Sequence, residues 1–191
     1  EVPGGAANAA RSLAHWRARV CYLFDSTRGS TKTRFIVGNQ CVFRHDCDRT
    51  ESFNMLLVRK EAIHMVFMKS RHPDAVLLSD YDKGTLTPEF IREVADACSK
   101  KGIPCVADCK REPTLYAGCI LKGNEYYWSR YPAPTGAEIV MTRGAGVPWL
   151  LHRSAIFDDN LPPVNCVNYI GAGDCFAAHL TLAMAYGFQL R

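Results

Sequence analysis

The sequence predicts an α/β fold with a mostly parallel central sheet, and three features of its order carry that prediction. A strand–helix–strand unit occupies the middle of the chain. Two further apolar runs of strand length follow it, and a glycine-rich turn opens an apolar helix near residue 175. Residues 75–79 (AVLLS) suit a buried strand, and the polar turn 80–84 (DYDKG) follows them. Thr87, Pro88 and Glu89 then open a helix. Thr87 can cap it, Pro88 fits the first helical position, and Glu89 favours the positive end of the dipole. Phe90, Ile91, Val94 and Cys98 recur at helical spacing, and Lys100-Lys101-Gly102 is a stop. Residues 103–107 (IPCVA) form the next buried strand, so the unit is βαβ, with parallel strands and a right-handed crossover.

Residues 119–121 and 138–142 read as two more core strands, the second ending in the turn 143–146. The segment 175–186 is apolar on nearly all sides, which predicts a helix buried all round. Nearer the start, 6–16 is an alanine-rich helix, and 33–37 and 40–44 flank Gly38-Asn39 as a hairpin. Segments 45–60 and 122–136 read as irregular. Open α/β sheets bind ligands beyond the carboxyl ends of their strands. The turns 79–84, 108–110 and 142–146 fall at such places and predict one cleft.

With 191 residues, 48% of them hydrophobic, the chain can bury one substantial core, and a single domain over 1–191 is expected. The 23 Lys+Arg exceed the 19 Asp+Glu by four. The basic runs at 17–19, 100–101 and 110–111 read as solvated faces rather than a nucleic-acid surface. No apolar stretch approaches the roughly 20 residues that span a bilayer, and residue 1 opens no secretory signal, so a cytoplasmic protein without membrane contact is expected. Nine cysteines occur without a CxxC pair, several inside apolar runs, as with Cys105, Cys119 and Cys175. Reduced, buried thiols acting as small hydrophobes account for them better than a disulfide framework or a zinc site using His45 or His64.

Gly171-Ala172-Gly173-Asp174 is the sharpest feature. Glycines at a helix start let successive N–H groups converge where the dipole favours negative charge. Such a nest suits a phosphate oxygen or the charge that develops in phosphoryl transfer. An aspartate directly after it can accept a proton from an attacking hydroxyl. Taken alone, the plainer reading is a turn whose Asp174 stabilises the first helical turn.

Three other motifs stand in fixed order with it: 3–10 (PGGAANAA), 78–87 (LSDYDKGTLT) and 108–110 (DCK). Together the four resemble the ribokinase-like (PfkB) carbohydrate kinase family, and within it the kinase domain of the bifunctional heptose enzymes. Residues 31–34, 39–40 and 44–46 also resemble that subfamily's hairpin. The resemblance runs from Pro3 to about Gly187.

It implies a ribokinase-like Rossmann-type sandwich with a small β lid over 28–46, and ATP and Mg²⁺ as cofactors. Asp174 would be the general base that deprotonates a hydroxyl of a sugar or sugar phosphate, with Gly171, Ala172 and Gly173 as the anion hole. Gly4, Gly5 and Asn8 would contact the sugar. Lys110 and Asn124 would stand near the nucleotide phosphates and Mg²⁺, and Thr142 and Gly144 would border the nucleotide. Arg34 and Arg44 are anion partners for a sugar phosphate, or solvated hairpin arginines. Asp80 and Lys83 are cleft residues, or the polar side chains of a turn; Asp108 likewise stands on the phosphate side or stabilises a turn. The aromatic cluster 126–128 stacks a nucleobase, or packs a surface segment onto the core.

The sequence also departs from the family pattern. The family chain is longer at both ends and between 16 and 31 and between 124 and 138. Asn168 and Ile170 replace an aspartate and a threonine before GAGD, Tyr127 takes the place of a glutamate linked to Mg²⁺ unless Glu125 substitutes, and Val147 that of a glycine. These departures support an alternative: a weakened kinase fold serving as a structural or partner-binding subunit. Exposed sheet edges would then be covered by a second copy or a larger assembly.

Overall fold

The computed structural model describes residues 4–22, 30–38, 40–48, 63, 67, 72–144, 146–152, 155–157 and 170–190. The expectations for His64, Cys166 and Asn168 lie outside them. Helix α1 spans Gly5–Ala14. Strands β1 (Thr31–Val37) and β2 (Gln40–Cys47) pair antiparallel as a separate two-stranded ribbon, longer than the sequence pattern implied. Among the described residues the main sheet has six strands in chain order: β3 (Val76–Ser79), β4 (Cys105–Asp108), β5 (Ile120–Asn124), β6 (Ile139–Arg143), β7 (Gly146–His152) and β8 (Ala155–Phe157). The first four run parallel. Strand β7 turns back antiparallel because too few residues separate it from β6 for a crossover, and β8 pairs antiparallel with β7.

Helix α2 (Pro88–Lys101) joins β3 to β4 as expected, with the Thr87 hydroxyl accepting from the Phe90 N–H at 3.2 Å and Gly102 ending it in the left-handed conformation. A short 3-10 turn (Pro113–Tyr116) precedes β5. The 122–136 segment, expected to be irregular, holds the end of β5 and helix α3 (Glu125–Arg130), capped by the Asn124 side chain. Helix α4 spans Ala172–Ala185.

The two-residue period of the strands distributes the core between two faces. Leu78, Ala107, Leu121 and Ile139 point to one face, where Phe90, Ile91, Val94 and Cys98 of α2 meet Tyr116 and Tyr127. Burying an aliphatic or aromatic side chain there contributes roughly 1.5–3 kcal/mol. Val106, Ile120 and Val140 point to the other face, against Phe176, Leu180 and Met184 of α4. Only Ala177, Ala178, Thr181 and Met184 of α4 are fully buried. This corrects the expectation of a helix buried all round: α4 is apolar on most sides, but it lies on one face of the sheet with α1 beside it. Among the described residues eight cysteines are free thiols; Cys98, Cys105, Cys109 and Cys119 are buried, as expected of small hydrophobes, Cys175 is half-buried, and Cys21, Cys41 and Cys47 are exposed. Among the described residues no cluster of His, Cys, Asp or Glu is fit to hold a metal, and no helix is long and apolar enough to cross a membrane.

Candidate active site

Because β3 to β6 are parallel, their carboxyl ends share one edge of the sheet, and the first turn of α4 arrives there. Gly171 has φ +79, and a side chain at this position would run into the Asn8 amide. The close approach of α1 and the left-handed conformation together require glycine. Ala172, Gly173 and Asp174 form the first turn, whose N–H groups have no partners within the helix.

The Asp174 carboxylate is half-buried, and two other elements converge on it. The Tyr81 hydroxyl, from the turn after β3, donates to its Oδ1. The Asn8 amide, from α1, donates to its Oδ2 at 3.3 Å and to the Gly171 carbonyl at 3.3 Å. Asn8 thus ties α1 to the start of α4. Burial, and then the bond to Asp174, push the Tyr81 phenol far above the usual tyrosine range.

Beneath this turn lies a charge pair that the sequence reading passed over. Lys122 is 3% exposed and its ammonium meets Asp108, itself 2% exposed, at 3.0 Å. A methyl group added to Gly173 would stand 3.2 Å from the Lys122 Nζ, so the ammonium lies directly under the expected anion hole. Lys110 adds a second cation at 3.5 Å from the same Asp108 oxygen and reaches over the Tyr81 ring, 5.6 Å from its centroid. The two ammonium groups of Lys110 and Lys122 thus stand among the carboxylates of Asp108 and Asp174. The signal available in the sequence was a lysine inside an apolar strand, since buried lysines are nearly always paired.

Asp80 has a different setting from the cleft position considered for it. Its buried carboxylate accepts from Arg111 through Nε (2.9 Å) and Nη2 (2.6 Å), from the Tyr116 hydroxyl (2.5 Å) and from the Asp82 N–H (2.8 Å). Burial pulls the Arg111 guanidinium down, but its hydrogen bond and charge attraction to Asp80 outweigh that and raise it. Lys83 pairs with Asp48 just beyond β2. Arg34 and Arg44 are cross-strand neighbours on the ribbon, and Arg44 is exposed and pairs with Asp46 at 2.9 Å.

On the other side, Asn124 stands opposite Thr142 in the β5–β6 register. The Asn124 side chain accepts from the Tyr127 N–H at 2.8 Å as the cap of α3, and the Thr142 hydroxyl donates to the Gly123 carbonyl at 3.5 Å. Gly144 sits in the turn after β6 with φ +57. Gly4 is the N-cap of α1, and Gly5 opens that helix.

The site's fit to the two expected groups differs. The two lysines and the first-turn amides suit a polyphosphate. Among the described residues no set of protein ligands for Mg²⁺ forms: Tyr127 is buried, with its hydroxyl donating to the Arg111 carbonyl at 2.7 Å, while Glu125 is exposed and lies 4.0 Å from Arg143. Tyr126 is exposed, whereas Tyr127 packs edge-on against Trp128 at 4.7 Å, as a core-covering cluster does.

No family model matches the sequence. Curated relatives do. The bifunctional protein HldE of Caulobacter sp. strain K31 is 30% identical over 190 residues, 86% of this chain and 38% of its own length. That of Granulibacter bethesdensis is 37% identical over 191 residues, 83% of this chain and 38% of its own length. The chain therefore spans about two fifths of these relatives. Among solved structures, Bacillus subtilis pyridoxal kinase in its ADP complex superimposes with a TM-score of 0.62 at 14% identity, covering 99% of this chain and 81% of that one. A mutant of Escherichia coli phosphofructokinase-2 gives 0.57 at 16%, covering 78% and 56%. The chain has the ribokinase-like fold, and in sequence it is a relative of the bifunctional HldE proteins, matching one part of them.

Proposed function

We propose that the chain is a carbohydrate kinase unit that transfers the γ-phosphoryl group of ATP to a hydroxyl of a sugar or sugar phosphate of the heptose-7-phosphate type. One observation carries the reading: a half-buried carboxylate, Asp174, closes a helix turn whose amides lie directly over the Lys122 ammonium. The acceptor oxygen attacks the γ-phosphorus, its proton passes to Asp174, and the bond from γ-phosphorus to the bridging oxygen breaks to release ADP. The N–H groups of the Gly171–Gly173 turn and Lys122 balance charge on the transferring group, with Lys110 beside them. Gly4, Gly5 and Asn8 form the acceptor side, while Asn124, Thr142 and Gly144 border the nucleotide. Arg34 and Arg44 on the ribbon would meet the phosphate of a sugar phosphate. ADP release over a panel of sugars and sugar phosphates tests this, with Asp174→Asn as control. Turnover on one class, lost in the variant, supports it; equal rates in both proteins overturn it.

A second reading, a kinase fold kept as a partner-binding subunit, draws on the apolar exposed ribbon (Phe35, Ile36, Val37, Val42 and Phe43) and on Tyr127 in place of an acidic residue. It predicts a stable dimer or larger assembly with no ATP binding, which sedimentation and nucleotide titration decide.

A further inference from the structure

The hydroxyl that Asp174 is expected to deprotonate belongs to the acceptor, yet Oδ1 of that carboxylate already carries one, from Tyr81. The phenol is held from several sides. Its ring edge packs on Gly5, where an added Cβ would come within 2.9 Å of Tyr81 Cε2, and Lys110 stands over the ring face. Next to it, Asp80 is locked by Arg111 and Tyr116, and it fixes the turn through the Asp82 N–H. The turn itself is made of bends rather than helix or strand. Asn8, by contrast, sits on a helix and is pinned by its second bond to Gly171.

We propose that Tyr81 is a placeholder for the acceptor hydroxyl: it occupies Asp174 when the sugar is absent, keeps water off the base, and gives up its hydrogen bond to Asp174 when the acceptor binds. This rests on the kinase reading of Asp174. The reaction it suppresses is the one in which water attacks the γ-phosphorus, Asp174 takes the proton, the bond to the bridging oxygen breaks, and ADP and inorganic phosphate leave. Tyr81 is a positioning residue, acting through Asp174 and touching no reacting phosphorus. The charged groups around this pair are Asp108, Lys110 and Lys122; all remain when the phenolic oxygen is removed.

Tyr81→Phe keeps the ring and deletes the hydroxyl. With ATP and magnesium chloride but no sugar, ADP release should rise threefold or more over the unsubstituted chain. Tyr81→Phe/Asp174→Asn should return it to background, and the acceptor KM of Tyr81→Phe should fall while kcat holds. An active, Asp174-dependent kinase whose sugar-free rate and KM are unmoved by Tyr81→Phe overturns the placeholder alone. Loss of all Asp174-dependent turnover overturns the kinase reading with it. Independently of activity, in protein labelled with tyrosine ¹³Cζ, the resonance missing from Tyr81→Phe should shift in Asp174→Asn. An unshifted resonance would show that the contact is absent in solution and overturn the proposal.

Discussion

Asp80 and Asp174 keep similar company: each carboxylate accepts from a tyrosine hydroxyl and from a nitrogen donor of a distant segment. They differ in what surrounds those partners. Asp80 is 2% exposed, and a guanidinium, a phenol and a backbone N–H together saturate it. Asp174 is half-buried at a helix start, held by one neutral amide and by a phenol on a bend. The first arrangement fixes a turn. The second orients a carboxylate with fewer, uncharged partners.

Substitutions at the two sites should therefore separate stability from turnover. Asp174→Asn should lower turnover about 10²–10⁴-fold and leave the melting temperature nearly unchanged; a folded variant with full activity would erase the contrast. Asp80→Ala leaves the half-buried Arg111 guanidinium with only the Leu86 carbonyl and Asp82, takes the acceptor from the buried Tyr116 hydroxyl, and should cost about 3 kcal/mol in a urea titration, with activity following the folded fraction. If it instead abolished turnover at unchanged stability, the two roles would be reversed. Tyr116→Phe removes one of the Asp80 donors and should cost about 1–3 kcal/mol by the same titration. Thr87→Ala, remote from both carboxylates, should cost about 1 kcal/mol through the lost cap alone and leave KM unchanged.

The strand–helix–strand unit was legible because its signals agree: an apolar run, Thr-Pro-Glu at the helix start, and Lys-Lys-Gly at its end. The GAGD turn was legible for the same reason, since glycine and aspartate spacing states a local geometry. What escaped is set by packing between distant segments. Lys122 and Asp108 lie 14 residues apart, and only the β4–β5 pairing makes them neighbours. Tyr81 and Asp174 are 93 apart, on elements that no local pattern relates. The environment of α4 was misjudged because its apolar composition says nothing of how many sides the sheet and α1 can cover. The bond between Asp80 and Arg111 likewise joins residues 31 apart, and that reach back across the turn leaves no trace in spacing.

The chain-order arrangement of the six strands has a consequence for how the molecule is made. Each strand lies beside the one synthesised just before it, so a growing polypeptide can extend the sheet one ribbon at a time from β3 onward. Helix α4, translated after all six, settles over β3 and β4, the earliest of them. The carboxylate at its start, Asp174, consequently arrives after the Lys122–Asp108 pair has been assembled.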